Sequence, residues 1–136
     1  MRQIFAATMT MSLMILSASA QLRNQQMQIQ IPFAFHVNDV TMTPGLYSVE
    51  AQSADLIRFT NIDEKKSVLA ITPLKEGRSQ TYLPKLVFNR YGSDYFLLKM
   101  WFGPETSGRA FLPTPVEREL AKNTRPVEIE FVNARQ

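Results

Sequence analysis

With 136 residues, no cysteine, and a formal charge of only +3 from 15 Lys and Arg against 12 Asp and Glu, the chain excludes several classes at once. A disulfide framework, a thiol nucleophile, a Cys-ligated metal centre and a lipid-anchored cysteine all fall away. The basic residues are scattered, and the densest pair, Lys65-Lys66, sits beside Asp63-Glu64, so no basic stripe points to nucleic acid.

Residues 1–20 read as a secretory signal: Arg2 supplies the positive start, Ile4 to Leu16 the apolar stretch, and Ala18-Ser19-Ala20 the small-residue end. That stretch of 13 residues is short of the roughly 20 needed to span a bilayer. We therefore expect cleavage after Ala20, a mature chain from Gln21, and no stable membrane span afterwards. Without a twin-arginine pair, the expected route is general secretion to the periplasm or the outside. The remaining 116 residues (136 − 20) suit one β domain over 21–136, able to bury roughly 65% of its unfolded surface without staples. Since Arg2 is the leader's only charge, the mature chain is near +2.

The mature chain opens on Met27, Ile29, Ile31, Phe33, Phe35 and Val37, alternating with Gln28, Gln30, Pro32, Ala34, His36 and Asn38. This predicts one half-buried strand, at a sheet edge or bulged at Pro32, which has no N–H. Thr43-Pro44-Gly45 predicts a type II turn with Gly45 at positive φ, followed by a strand from Leu46 to Gln52. Leu56 to Asn61 and Ser67 to Thr72 read as a hairpin around the polar Ile62 to Lys66. Glu76 to Ser79 reads as a turn centred on Gly77.

Leu83 to Tyr91 and Tyr95 to Phe102 flank the Gly92-Ser93-Asp94 turn. Strict alternation sends Phe96, Leu98, Met100 and Phe102 to one face and Tyr95, Leu97, Lys99 and Trp101 to the other. A strand apolar on both faces belongs in the middle of a sheet, which also predicts a buried Trp101. Gly103 to Gly108 reads as a loop, and Arg109 to Leu112 as a brief pairing. Thr114, Pro115 and Glu117 form a capping-box start to a helix ending by about Lys122. Val127, Ile129 and Phe131 then point inward from a last strand, with Glu128 and Glu130 outward. The fold class is all-β: one small antiparallel β-sandwich or barrel of about eight strands with one short C-terminal helix.

Chemistry-bearing motifs are few. His36, the one histidine, excludes a multi-histidine metal site and reads as a surface residue, since no nucleophile elbow accompanies it. Glu117/Glu119 is explained by helix capping, and Glu128/Glu130 by a solvated strand face. No phosphate loop or dinucleotide fingerprint is present, so no cofactor is expected. The candidate binding residues are Arg90, Tyr91, Tyr95 and Trp101, whose rings and guanidinium could stack on a ligand or anchor a partner. The favoured explanation is packing on the second side of a central strand, with Arg90 and Lys99 reaching outward.

Phe33-Ala34-Phe35-His36-Val37, Pro44-Gly45-Leu46-Tyr47-Ser48-Val49, Phe88-Asn89-Arg90-Tyr91-Gly92, Tyr95-Phe96-Leu97, Trp101 and Leu112-Pro113 before Glu117-Arg118-Glu119-Leu120-Ala121 together resemble a family of small exported bacterial proteins. The similarity covers nearly all of residues 29–122 and stops at the tail beyond Asn123. It implies export and a β domain, and carries over no activity, cofactor or site.

The expected function is a non-enzymatic exported β domain, a binding or envelope structural module whose partner is an envelope protein. The alternative is a small-ligand-binding barrel with a cavity lined by Phe88, Tyr95, Leu97 and Trp101. An outer-membrane barrel is the third class. It is disfavoured because most runs fall short of the roughly 9 to 11 residues such strands need.

Overall fold

Alternation lays down the first strand, and a proline ends it. In the computed structural model, which describes residues 25–78, 83–103 and 107–132, β1 (Gln26–Ile31) buries Met27, Ile29 and Ile31 and exposes Gln26, Gln28 and Gln30. The expected leader and cleavage site lie outside the described residues. The alternating pattern continues past Pro32, but the chain does not stay in the same sheet. It crosses to a second sheet as β2 (Phe35–Val37), turns at Asn38 (φ +51°) and returns as β3 (Val40–Met42). The single strand expected over Met27–Val37 is thus two, because Pro32 cannot donate to a ladder.

β4 (Gly45–Ala51), β5 (Leu56–Asn61) and β6 (Lys66–Ile71) complete the first sheet, antiparallel throughout in the order β1-β4-β5-β6. β7 (Leu74–Arg78), β8 (Lys85–Tyr91), β9 (Asp94–Trp101), β10 (Ser107–Ala110) and β11 (Val127–Val132) form the second in the order β11-β8-β9-β10-β7. The β2–β3 hairpin joins β9 through one parallel pair, His36 with Phe96. β9 is central, as its two apolar faces predicted. The turn expected at Gly77 is instead the middle of β7, and β10 begins inside the expected 103–108 loop; edge pairing overrides the weak local preference of these Gly-containing segments. Among the described residues there are eleven strands and one helix, α1 (Pro115–Asn123).

The sheets face each other across one apolar seam. Met27, Ile29, Ile31, Tyr47, Val49, Ile57, Phe59 and Ala70 come from the first sheet; Phe35, Val37, Met42, Leu86, Phe88, Leu97 and Met100 come from the second, with Phe102 and Phe111 just beyond its strands. A barrel requires every strand to have two neighbours. Here β1, β3, β6, β7 and β11 have one each among the described residues, so the structure is an open sandwich, not a barrel. The cavity expected within a barrel is likewise filled, since Phe88 and Leu97 belong to the packed seam.

β8 and β9 meet at Gly92 (φ +63°), the first of two turn residues, as a type II′ hairpin requires. Phe88 pairs with Leu97 but Val87 with Lys99, leaving Leu98 as an extra residue in β9. This bulge reverses the faces beyond it. Tyr95 and Leu97 share the core side with Met100 and Phe102, while Phe96 shares the outer side with Lys99 and Trp101. Strict alternation misassigns the second half of this strand for that reason.

Gly45 opens β4 opposite Ile31 with φ +157°, positive but far from the roughly +80° of a type II turn. A Cβ there would stand 3.1 Å from Asn61 Nδ2. That amide donates to Thr43 Oγ1 at 3.3 Å and to Tyr47 Oη at 3.2 Å, and its oxygen accepts from the backbone N–H of Asp63 and Glu64. Gly45→Ala should cost roughly 1 kcal/mol or more by pushing Asn61 off these partners; an unchanged denaturant midpoint would refute this account of the turn.

Candidate binding surface

The four candidate residues divide between opposite faces of the second sheet. Arg90 pairs with Tyr95 at the hairpin end, half-buried on the core side. The Tyr95 ring stacks on Phe33 at 3.8 Å, and Phe33 meets Phe88 and Phe131 edge-on at 5.1 Å each. Tyr95 thus caps one end of the seam.

Tyr91 and Trp101 lie on the other face, both buried. The Trp101 Nε1–H donates to the Gly77 carbonyl at 2.7 Å, tying β9 across β10 to the edge strand β7. Lys85 Nζ stands 4.5 Å and Lys99 Nζ 5.9 Å from the ring centroid, so two lysine stems cover the indole that the sheet leaves bare. The ring crosses directly over Gly108: a Cβ there would overlap its Cε2 and Nε1 and stand 2.8 Å from Glu76 Cβ.

Beside Tyr91 lies a group whose burial the sequence did not announce. Glu117 is only 6% exposed. Its backbone N–H donates to Thr114 Oγ1 at 3.2 Å, as a capping box predicts, but its carboxylate turns to the sheet and accepts from Asn89 Nδ2 at 3.4 Å and Tyr91 Oη at 3.5 Å. Within α1 it is the sole buried residue, so the helix is fastened to the outer face chiefly by a carboxylate. Burial raises the Glu117 pKa above the usual carboxylate value, the two hydrogen bonds partly opposing it. Burial, and then the Glu117 charge, push the Tyr91 phenol upward.

His36 binds Thr41 Oγ1 through Nδ1 at 3.1 Å, lies 4.0 Å from Asp94 Oδ1 through Nε2, and stacks on Phe96 at 4.5 Å. These contacts secure the single parallel pair that holds β2 to β9. Arg109, 4% exposed, donates to the Ser53 carbonyl at 2.7 Å and to Gln25 Oε1 at 2.6 Å. Its guanidinium therefore laces the second sheet to the β4–β5 loop and the start of β1.

Val40 on β3, Leu74 on β7 and Val127 and Val132 on β11 are exposed singly, and the β6 side of the sandwich exposes two large apolar residues on one face. Leu69 is 52% and Ile71 59% exposed on the outer face of β6. Each pairs across to β5, with Arg58 and Leu56. Inside the same edge, a groove of about 270 Å³ lies between β3 and β6, lined by the apolar Val40, Met42 and Val68, by Tyr47 and Asn61, and by the charged Glu64 and Lys66. A signal for this surface was present in the sequence: Val68-Leu69-Ala70-Ile71 is apolar on both faces, as a strand with covered faces would be.

No protein-family model matches the chain, and no curated protein or solved structure matches it.

Three outcomes follow from the outer face. Trp101→Ala should cost roughly 3 to 5 kcal/mol. Gly108→Ala should cost roughly 1 to 3 kcal/mol by overpacking, with a red shift in emission from the only tryptophan; wild-type emission in Gly108→Ala would show that the indole does not lie there. For Glu117, a raised folded pKa means that its stabilising contribution is fully present below the unfolded value of 4.5 and is lost as pH rises through the folded one. Glu117→Gln keeps an acceptor for Asn89 and Tyr91 without the charge. The wild-type denaturant midpoint should therefore fall relative to this variant between mildly acidic and neutral pH, and parallel curves would refute the assignment.

Proposed function

We propose that this chain is an exported, non-enzymatic interaction module that works by edge-to-edge strand pairing at β6. The observation carrying this reading is that edge: a strand apolar on both faces, hydrogen-bonded on one side only among the described residues, with Leu69 and Ile71 in solvent. An exposed apolar strand edge is a template for another strand. The signal-like start and the resemblance to small exported bacterial proteins support placement in the periplasm or outside the cell. No described helix is long and apolar enough to cross a membrane.

The candidate residues of the β8–β9 hairpin enter this reading as supports. Tyr91 and Trp101 are buried and already hydrogen-bonded, and Tyr95 is stacked. The β3–β6 groove favours a second reading, capture of a small ligand. It is the weaker one, because about 270 Å³ falls below the usual range of roughly 300 to 1,000 Å³, and the Tyr47, Asn61 and Thr43 polar atoms that line it already bind one another.

The test is a photo-crosslinking amino acid placed at position 69 in the exported protein within cells, with position 28 on the first sheet's far edge as control. A discrete protein adduct from position 69 alone is expected. Equal adducts from both positions, or none from either, would overturn the assignment of the working surface to β6.

A further inference from the structure

We infer that the occupant of the β6 edge is the β6 strand of a second copy of this chain, added antiparallel about a two-fold axis at Leu69 to join two four-stranded sheets into one of eight. This rests on the reading of β6 as a pairing edge and names its partner. The chemistry of the edge specifies the incoming strand from both sides. On the inner side it would meet Val68 and the Val40 and Met42 lining of the groove. On the outer side it would meet Leu69 and Ile71, with Leu56 next to Ile71 on β5. The strand that fits is apolar on both faces, and within the described residues at sheet edges β6 is the one that has this pattern. β1 alternates with glutamine, β3 sets Thr41 between Val40 and Met42, β11 alternates with Glu128 and Glu130, and β7 carries Lys75, Glu76 and Arg78.

With the axis at Leu69, that residue faces its own copy, Val68 faces Ala70, Ser67 faces Ile71 and Lys66 faces the neutral Thr72. The interface is isologous, so each pair except the axial Leu69–Leu69 occurs twice. Charge selects the direction. Lys66 is the one charged residue of β6, and parallel addition would set two of them side by side. The antiparallel arrangement holds them six residues apart, roughly 20 Å along the strand and beyond the Debye length of about 8 Å at physiological ionic strength. A ribbon of two six-residue strands buries less than the roughly 1,200 to 2,000 Å² of a standard stable interface. The dimer is accordingly a reversible one whose population follows concentration.

The test uses the mature chain in sedimentation velocity from low micromolar to near-millimolar concentration, together with single-cysteine variants, since the chain has no cysteine of its own. A monomer–dimer equilibrium is expected, weakened at least about tenfold by Leu69→Lys through lost apolar burial. Leu69→Cys should oxidise to a covalent dimer, because residues opposite each other across the axis come within disulfide range. Ile71→Cys, offset by four residues from its own copy, should not. Both substituted side chains are in solvent, so folding is retained and checked by tryptophan emission. A monomer at every concentration, a dimer indifferent to Leu69→Lys, or equal oxidation at both positions would overturn the inference. If the chain is monomeric and the position-69 crosslinker captures a different protein, the second copy is refuted while the pairing edge stands. If it captures nothing, both fall.

Discussion

A proline cannot donate to a ladder, and each passage from one sheet to the other in the described chain is made at one: Pro32 between β1 and β2, Pro44 between β3 and β4, and Pro73 between β6 and β7. At these points the chain forfeits a ladder hydrogen bond at no cost, because the imino nitrogen had none to give. The β2–β3, β4–β5, β5–β6 and β8–β9 hairpins keep the chain within a sheet. The placement of three residues therefore decides which apolar side chains face each other across the seam. It also decides where the edges fall, since β1 and β6, the strands next to two of these crossings, become the two margins of the first sheet.

A chain without disulfides has to hold two open sheets together by packing, and the polar groups buried near the seam act where packing alone would leave backbone unsatisfied. Asn61 closes the β5–β6 turn with its oxygen while its amide reaches Thr43 and Tyr47 near the β3–β4 crossing. Arg109 does the corresponding work at the other end, where its guanidinium meets the Ser53 carbonyl and Gln25. Removing one partner from such a group leaves the other buried and unpaired, at roughly 1 to 3 kcal/mol and more for a charge. The burial that lowers the pKa of Arg109 is the same desolvation that makes it costly to strand. The cross-strand neighbour Lys75 feels it as well: its pKa is lowered first by burial and then by the Arg109 charge.

Much of this architecture was legible in the residues. Period-two runs located β1, β4, β5, β8 and β11, the apolar faces of β9 placed it centrally, and Thr114-Pro115 marked the helix start. What was not legible depended on partners. The Leu98 bulge arises from the pairing of β8 with β9 and exchanges the faces of Met100 and Trp101, which no count along one strand can show. β7 reads as a turn because Gly77 and its charged neighbours have no strand preference of their own; β10 and the Trp101 indole hold them in place. Glu117 carries a capping signal that is correct for its N–H and silent about its carboxylate, because burial of that carboxylate depends on Asn89 and Tyr91 arriving from β8. Of the four candidate residues, the bulge and the pleat send Tyr91 and Trp101 to one face and Arg90 and Tyr95 to the other, so proximity in sequence did not become a shared site.

The edges of the two sheets are not guarded alike, and the difference bears on function. β1 and β11 present glutamines and glutamates on their solvent faces, and β7 is short and interrupted by glycine. Each of these discourages the addition of a foreign strand. β6 has no such guard between Lys66 and Pro73. Leu69 and Ile71 have cross-strand neighbours in Arg58 and Leu56 on β5, while Val68 and Ala70 supply the strand's inward contacts. Replacing both by threonine would preserve β propensity and improve solubility. Exposed apolar side chains on an unguarded edge invite association, and the pairing proposed at β6 would put that liability to use.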